Sequence, residues 1–249
     1  LGAKAVETGK QVAMDALDQV ANLEQNIGGI QKLFGDSYQS VVDNANKAFK
    51  TAGLSSNDYM QTVTSFSASL ISGLGGDTKK AAEYADRAIR DMSDNANTFG
   101  YDMETMQAAY KNFAKGQYMM LDSLSLGYGG SKEEMERLIV DASKMQKEMD
   151  SLGVTVDANS MSFDNIINAI SVMQTHLKIS GTTANEAAGT IEGSVNSMKA
   201  AWQNFLAGTI DPAEFAETAF QAADNVINAF GGILPRLADG FGQMTPKVL

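Results

Sequence analysis

Apolar residues recur at intervals of three and four along nearly the whole chain, the period of helices that each bury one face. Val12, Ala16, Val20, Leu23 and Ile27 form a first stripe, and Gly28-Gly29 is expected to interrupt it. Tyr38, Val41, Val42, Ala45 and Ala48 form a second, ending near Gly53. Ser55 reads as an N-cap with Asp58 in the first turn, ahead of Val63, Phe66, Leu70 and Ile71. Gly73, Gly75 and Gly76 mark a break. Asp77 then caps a stripe of Ala81, Ala85, Ala88, Ile89, Met92, Ala96 and Phe99, with Gly100 at the C-terminal glycine position. Asp102 is the expected cap of a helix carrying Met106, Tyr110 and Phe113.

The glycine-rich run at 124–130 cannot sustain a helix and reads as a loop. Ser131 and Glu134 are spaced as a capping box before Met135, Leu138, Ile139, Ala142, Met145 and Met149. Gly153-Val-Thr-Val-Asp157 is the one strand-like patch, too short to build a sheet alone. Ser162 precedes a helix with Phe163, Ile166, Ile167, Ile170, Met173 and Leu177. Thr183 and Glu186 form a second capping-box pattern, leading into Ala187, Ile191, Val195, Met198, Trp202, Phe205 and Leu206. Asp211-Pro212-Ala213-Glu214 combines an N-cap, proline at the first helical position and an acid at the third. Phe215, Ala219, Ala223, Val226, Ile227 and Phe230 come next on one face, and the last twenty residues are apolar, glycine-rich and broken at Pro235. The pattern predicts an all-α, multihelical array of about eight to ten amphipathic helices with short glycine-rich loops and negligible strand. The expected organisation is a helical arm over 1–52, a helical domain over 53–210, and the start of an apolar glycine-rich helical segment over 211–249.

Composition agrees with helices: the 249 residues are 44 % apolar, with 14 methionines and three prolines. Leu1 in place of an initiating methionine makes the chain read as an excerpt or a processed product. The 19 basic and 30 acidic residues leave a net charge of −11. That balance opposes electrostatic capture of nucleic acid, so no sequence-specific nucleic acid partner is expected. It also opposes simple adsorption to anionic lipid. With no cysteine, disulfides, thiolate metal sites and cysteine nucleophiles are excluded within this sequence. No signal peptide and no run long enough for a membrane span is visible.

Candidate chemistry is sparse. His176 is the single histidine, so a zinc site would need three carboxylates beside it. Its place late in a helix suits a C-terminal, dipole-compatible residue. The glycine clusters at 73–76 and 127–130 lack the Gly-Lys-Ser/Thr order and the preceding strand of a phosphate-binding loop; they read as flexible connections. Glu133-Glu134 and Asp91/Asp94 read as solvated faces rather than converging acid–base pairs. Asp94-Asn95-Ala96-Asn97 lacks the glycine and terminal glutamate of a calcium loop. Met119, Met120, Met135, Met145 and Met149 suit either an adaptable groove or plain core, and core is the expectation. No catalytic, cofactor-binding or metal residue is assigned, and the chain is expected not to be an enzyme.

Several long blocks carry a resemblance. Residues 53–73, from Gly53-Leu-Ser-Ser-Asn-Asp-Tyr-Met60 to Gly73, look like the tape measure region of siphophages and prophages of Gram-positive bacteria. Ala81-Ala-Glu-Tyr-Ala-Asp-Arg-Ala-Ile89 through Asn97, Tyr110-Lys-Asn-Phe-Ala-Lys115 and Met120 through Gly130 are similar to the same family. So are Gly181 through Ser194 and Met198-Lys-Ala-Ala-Trp-Gln-Asn-Phe205. The blocks fall in the family's order over roughly 53–235, while 1–52 matches loosely. The resemblance to the phage tail tape measure protein implies a structural virion protein of the tail tube lumen, present in the host cytoplasm during assembly. It would set tail tube length and leave during genome ejection. The partners it implies are the tail tube protein, tail assembly chaperones and tail tip or distal tail proteins. Self-association in the lumen and contact with the host membrane at ejection are implied as well. Two other readings stay open: a muralytic or peptidase module, for which no catalytic constellation is found, and a membrane-active, channel-forming or wall-penetrating segment centred on 226–245.

Overall fold

The computed structural model describes residues 2–189, 191–222, 224 and 225. The side chains of Val12, Ala187 and Ile191, and everything from 226 onward including the apolar 226–245 stretch, lie outside the described set. The protein is all-α, and the described residues contain no strand. Among the described residues, helices follow in the order α1 Gly2–Phe34, α2 Tyr38–Thr51, α3 Ser56–Gly73, α4 Thr78–Phe99, α5 Met103–Phe113, α6 Lys132–Ala142, α7 Gln146–Leu152, α8 Phe163–His176, α9 Thr182–Gly189 and α10 Ile191–Ala207. A further helical stretch occupies 212–222. The strand-like patch is instead the exit from α7: Gly153 closes that helix in the left-handed conformation at φ 63°, and Val156 packs inward.

α4 is the hub. It touches α1, α2, α3, α5, α8 and α9. Its small apolar face, Ala81, Ala82, Ala85, Ala88, Ile89 and Met92, is buried, and alanines let neighbouring helices approach closely. Phe66 and Leu70 of α3, Met106, Tyr110 and Phe113 of α5, and Ile166, Ile167 and Ile170 of α8 belong to the same core. No packing break falls at residue 52, because Ile30, Phe34, Val41, Ala45, Ala48 and Ala52 belong to that core too.

Local side-chain caps fix four helix starts among the described residues. Ser55 Oγ accepts the Asp58 N–H at 3.2 Å, Asp77 the Lys80 N–H at 3.0 Å, Ser131 the Glu134 N–H at 3.2 Å, and Asp211 the Glu214 N–H at 2.8 Å. The Glu134 carboxylate turns back to the Gly129 N–H instead of completing the box at Ser131. Asp102 and Ser162 occupy N-cap positions without a side-chain cap bond. Gly100 closes α4 at φ 70° with its N–H on the Ala96 carbonyl.

Gly28-Gly29 does not break α1, which runs through both. Two interior glycines cost about 1 kcal/mol each against alanine. Fully buried Ile30 and Phe34 beyond them, and Leu23 and Ile27 before them, anchor the helix to the core. Earlier in α1, Leu17 is 70 % exposed, and Met14 and Val20 are exposed as well. The 124–130 loop is not a loose connection. Leu124, Leu126 and Tyr128 are buried, Asn95 donates to the Leu124 carbonyl at 2.8 Å, and Arg137 lies over the Tyr128 ring. Met135 and Met149 are buried, Met120 and Met145 pack on the core, and Met119 points outward, against the expectation of core.

Candidate functional site

The feature that distinguishes this bundle is a buried polar seam. On α4, Tyr84, Arg87, Asp91, Asp94 and Thr98 recur at steps of three and four and so share one face. On α8, Asn165, Asn168, Ser171 and Gln174 recur every third residue in a helix otherwise rich in isoleucine. Asn165 bonds back to the 157–160 loop, whereas Asn168, Ser171 and Gln174 meet the polar face of α4. Asp91 and Asp94 are 5 % and 4 % exposed. They are not the solvated faces expected from sequence, because α4 is covered on its polar side by α8 and α9 as well as on its apolar side.

The seam is hydrogen-bonded along its length. Arg87 donates to Asn168 Oδ1 at 2.5 Å, and Asn168 Nδ2 donates to Tyr84 Oη and to the Thr155 carbonyl. One turn on, the Ser171 hydroxyl meets the Asp91 carboxyl, and Gln174 Nε2 donates to the Asp91 carbonyl at 3.1 Å. A turn further, Asp94 takes the Gly181 N–H at 2.6 Å and the Thr183 N–H at 2.9 Å. Thr98 and Thr182 hydroxyls meet at 3.1 Å. Thr183 is thus not the cap of its helix. The start of α9 is capped from α4, with an anionic acceptor where orphan N–H groups and the helix dipole favour one. A second distant cap is Asn204 of α10, whose Oδ1 accepts the Ser56 N–H of α3 at 2.8 Å.

Burial sets the electrostatics. Desolvation is the main cause that pushes the Asp91 carboxyl up to about 7, with the Asp94 charge adding to it and the Ser171 hydrogen bond opposing. Asp94 is also raised by burial, opposed by the Gly181 and Thr183 N–H groups. Tyr110 of α5 lies fully buried with no partner for its hydroxyl, and burial and then the two nearby carboxylates drive its ionisation well above the ordinary range. The seam therefore holds a carboxyl poised near neutrality but enclosed. It can keep or release a proton; it presents no open face to a substrate.

Beside the seam lies a groove of about 590 Å³ between the ends of α3 and α4 and the α9–α10 pair, lined among others by Ser55, Asp58, Asn97, Tyr101, Glu186 and Lys199. A second hollow of about 410 Å³ continues it past Leu54, Asp58 and Met103 to Gln107 and Lys111. His176 is elsewhere, half-exposed at the end of α8 with Nδ1 3.1 Å from Glu148 Oε1; hydrogen bonding to it is the main cause that holds the Glu148 carboxyl below the ordinary range. Glu134 pairs with Arg137 at 2.5 Å on the surface. Among the described residues no three metal-ligating side chains converge, and no helix is long and apolar enough to cross a membrane.

No family model matches the chain. No curated protein and no solved structure matches it either. Asp91 and Asp94 stand out in the sequence as carboxylates one turn apart, whereas no motif marks Asn168, Ser171 and Gln174. The signal for them was the three-residue polar period inside an isoleucine-rich helix.

Proposed function

We propose that the chain is part of the tape measure protein of a siphophage or prophage of Gram-positive bacteria, a structural protein that sets tail tube length during assembly and leaves during genome ejection. The observation that carries this reading is the ordered series of tape-measure-like blocks between residues 53 and 235. The all-helical build is compatible with it. A ruler needs a fixed length per residue, and a helix supplies about 1.5 Å. The bundle is stitched by hydrogen-bonded seams as well as apolar packing, and water can take over such bonds when helices part. In this reading the tail tube protein, assembly chaperones and tail tip proteins bind the chain, copies associate in the lumen, and the host membrane is met at ejection.

In-frame removal of this stretch from the parent chain tests the reading by electron microscopy of tails. Were all 249 residues helical along the tube, tails would shorten by roughly 370 Å. Tails of unchanged length would refute it. A tube-length change that tracks the number of residues removed, over several deletions, is the expected result.

A further inference from the structure

The corner between α8 and α9 is held in a costly conformation. α8 ends with Lys178 N–H on the Thr175 carbonyl and Ile179 N–H on the Gln174 carbonyl, the pattern in which a left-handed glycine is usual. Here Lys178 takes that conformation, at φ 60°, which disfavours any residue with a Cβ. The chain beyond the corner packs on α4 through α9 and on α1 through α10. α10 packs Ala200 and Ala201 with Phe49 and Ile210 in a small cluster of its own. It also packs along α1, α2 and α9 and is pinned by polar bonds, Ser197 Oγ to the Phe49 carbonyl and Asn204 to Ser56, with a Lys50–Glu214 ion pair beyond its end.

α4 grips this corner with two carboxyls one turn apart, and they need opposite protonation states. Asp94 accepts two main-chain N–H groups, which an ionised carboxylate does best. Asp91 meets the Ser171 hydroxyl, which also lies on the Ile167 carbonyl at 3.0 Å. A hydroxyl has one hydrogen. Both contacts are satisfied together when Asp91 is protonated and donates to Ser171, which then donates to Ile167. Among the described residues no cation bonds to Asp91. The charges of Arg87 and Arg90 on α4 favour its ionised form from a distance and are outweighed by burial; Arg87 itself donates to Asn168 and Arg90 pairs with Asp86 at 2.9 Å. α5 presents Tyr110, α8 presents Ser171 and Gln174, and α9 presents Thr183 and its main-chain N–H groups. Tyr59 of α3 is turned to Asp86.

We propose that Asp91 and Asp94 form a proton-operated clasp for the α8–α9 corner, seated when Asp91 is protonated and Asp94 ionised, and loosened when Asp91 releases its proton to water. The inference stands on side-chain geometry and goes beyond the tape-measure reading. Burial of Asp91, which keeps its proton on to about neutral pH, places the change in a range where the chain can be handled.

Hydrogen exchange on the full chain at pH 5.5 and 8.5, expressed as protection factors to remove the intrinsic pH effect, tests the clasp. Protection over 171–189 is expected to fall by about tenfold or more between the two, while α6 changes by less than about twofold. In Asp91→Asn the amide still donates to Ser171 and the fall should vanish. In Asp94→Asn the start of α9 should be poorly protected at both pH values. The cysteine-free background permits a lock that touches neither acid: Thr98→Cys with Thr182→Cys, whose hydroxyls stand 3.1 Å apart. Oxidised, the pair should abolish the fall, and reduction should restore it. A fall that persists in the oxidised lock or in Asp91→Asn overturns the proposal, and so does an equal loss of protection in α6.

Discussion

Replacing Gly28 and Gly29 by alanine should make the protein more stable. Both lie inside α1, neither has a positive φ, and a Cβ built on either meets no atom within 4 Å. Alanine exceeds glycine in a helix interior by about 0.8–1.0 kcal/mol, through backbone entropy lost by glycine on folding. The two substitutions are adjacent but point about 100° apart on the helix, so their effects should add to just under 2 kcal/mol. For a domain of this size that raises the midpoint of thermal unfolding by roughly 3–8 °C. Calorimetry and urea titration of the single and double variants measure it directly, and an unchanged urea slope would show that the effect is on stability alone. Gly29→Pro is the counter-test: it should cost about 3 kcal/mol or more by removing a helical hydrogen bond and clashing with the preceding turn. Alanine variants that are neutral or destabilised, or a proline variant that is tolerated, would refute the continuous helix.

Gly130→Ala should act in the opposite sense: its Cβ would fall 2.2 Å from the Met119 carbonyl oxygen, main chain that cannot step aside alone, so a loss of about 2–3 kcal/mol is expected in urea unfolding. Ser131→Ala removes the acceptor of the Glu134 N–H at the start of α6 and should cost about 1 kcal/mol. Asp91 gives a pH dependence of definite sign. Its folded carboxyl is raised from 3.8 to about 7, so its favourable contribution is full below about 3.8 and is lost as pH rises through about 7. The interval corresponds to an upper limit of roughly 4 kcal/mol. Asp91→Asn should therefore flatten the decline in stability between pH 4 and 8, and a parallel decline in the variant would contradict the assignment. Glu134 and Glu148, held below the ordinary range by Arg137 and His176, act the other way and weaken the fold on acidification.

The all-helical fold was legible because its information is local: apolar stripes of period 3.6, Ser55, Asp77, Ser131 and Asp211 at helix starts, and Gly100 at a helix end. The seam was not, because burial of a polar face is a property of two helices together. Asp91 and Asp94 look like surface residues when α4 is considered alone, since carboxylates are rarely buried without partners. Their partners Ser171 and Gly181 lie 80 and 87 residues away. Gly28-Gly29 misled for a related reason: local propensity favours a break, and the tertiary anchors Ile30 and Phe34 override it. Glycine composition likewise marked 124–130 as a loop but gave no sign that Leu124, Leu126 and Tyr128 would fill the space beneath it.

The caps supplied from afar bear on the order in which the chain can fold. The first N–H groups of α9 have their acceptor on α4, 87 and 89 residues earlier. That acceptor is already synthesised when α9 emerges, so the start of α9 can be fixed as soon as it is made. α3 is served differently. It has a local cap in Ser55, but its Ser56 N–H waits for Asn204, 148 residues later. During vectorial synthesis the N-terminal end of α3 is therefore incompletely tied until α10 arrives and closes over it. Anything that binds the growing chain before residue 204 meets that end of α3 still open, and loses access to it when α10 docks.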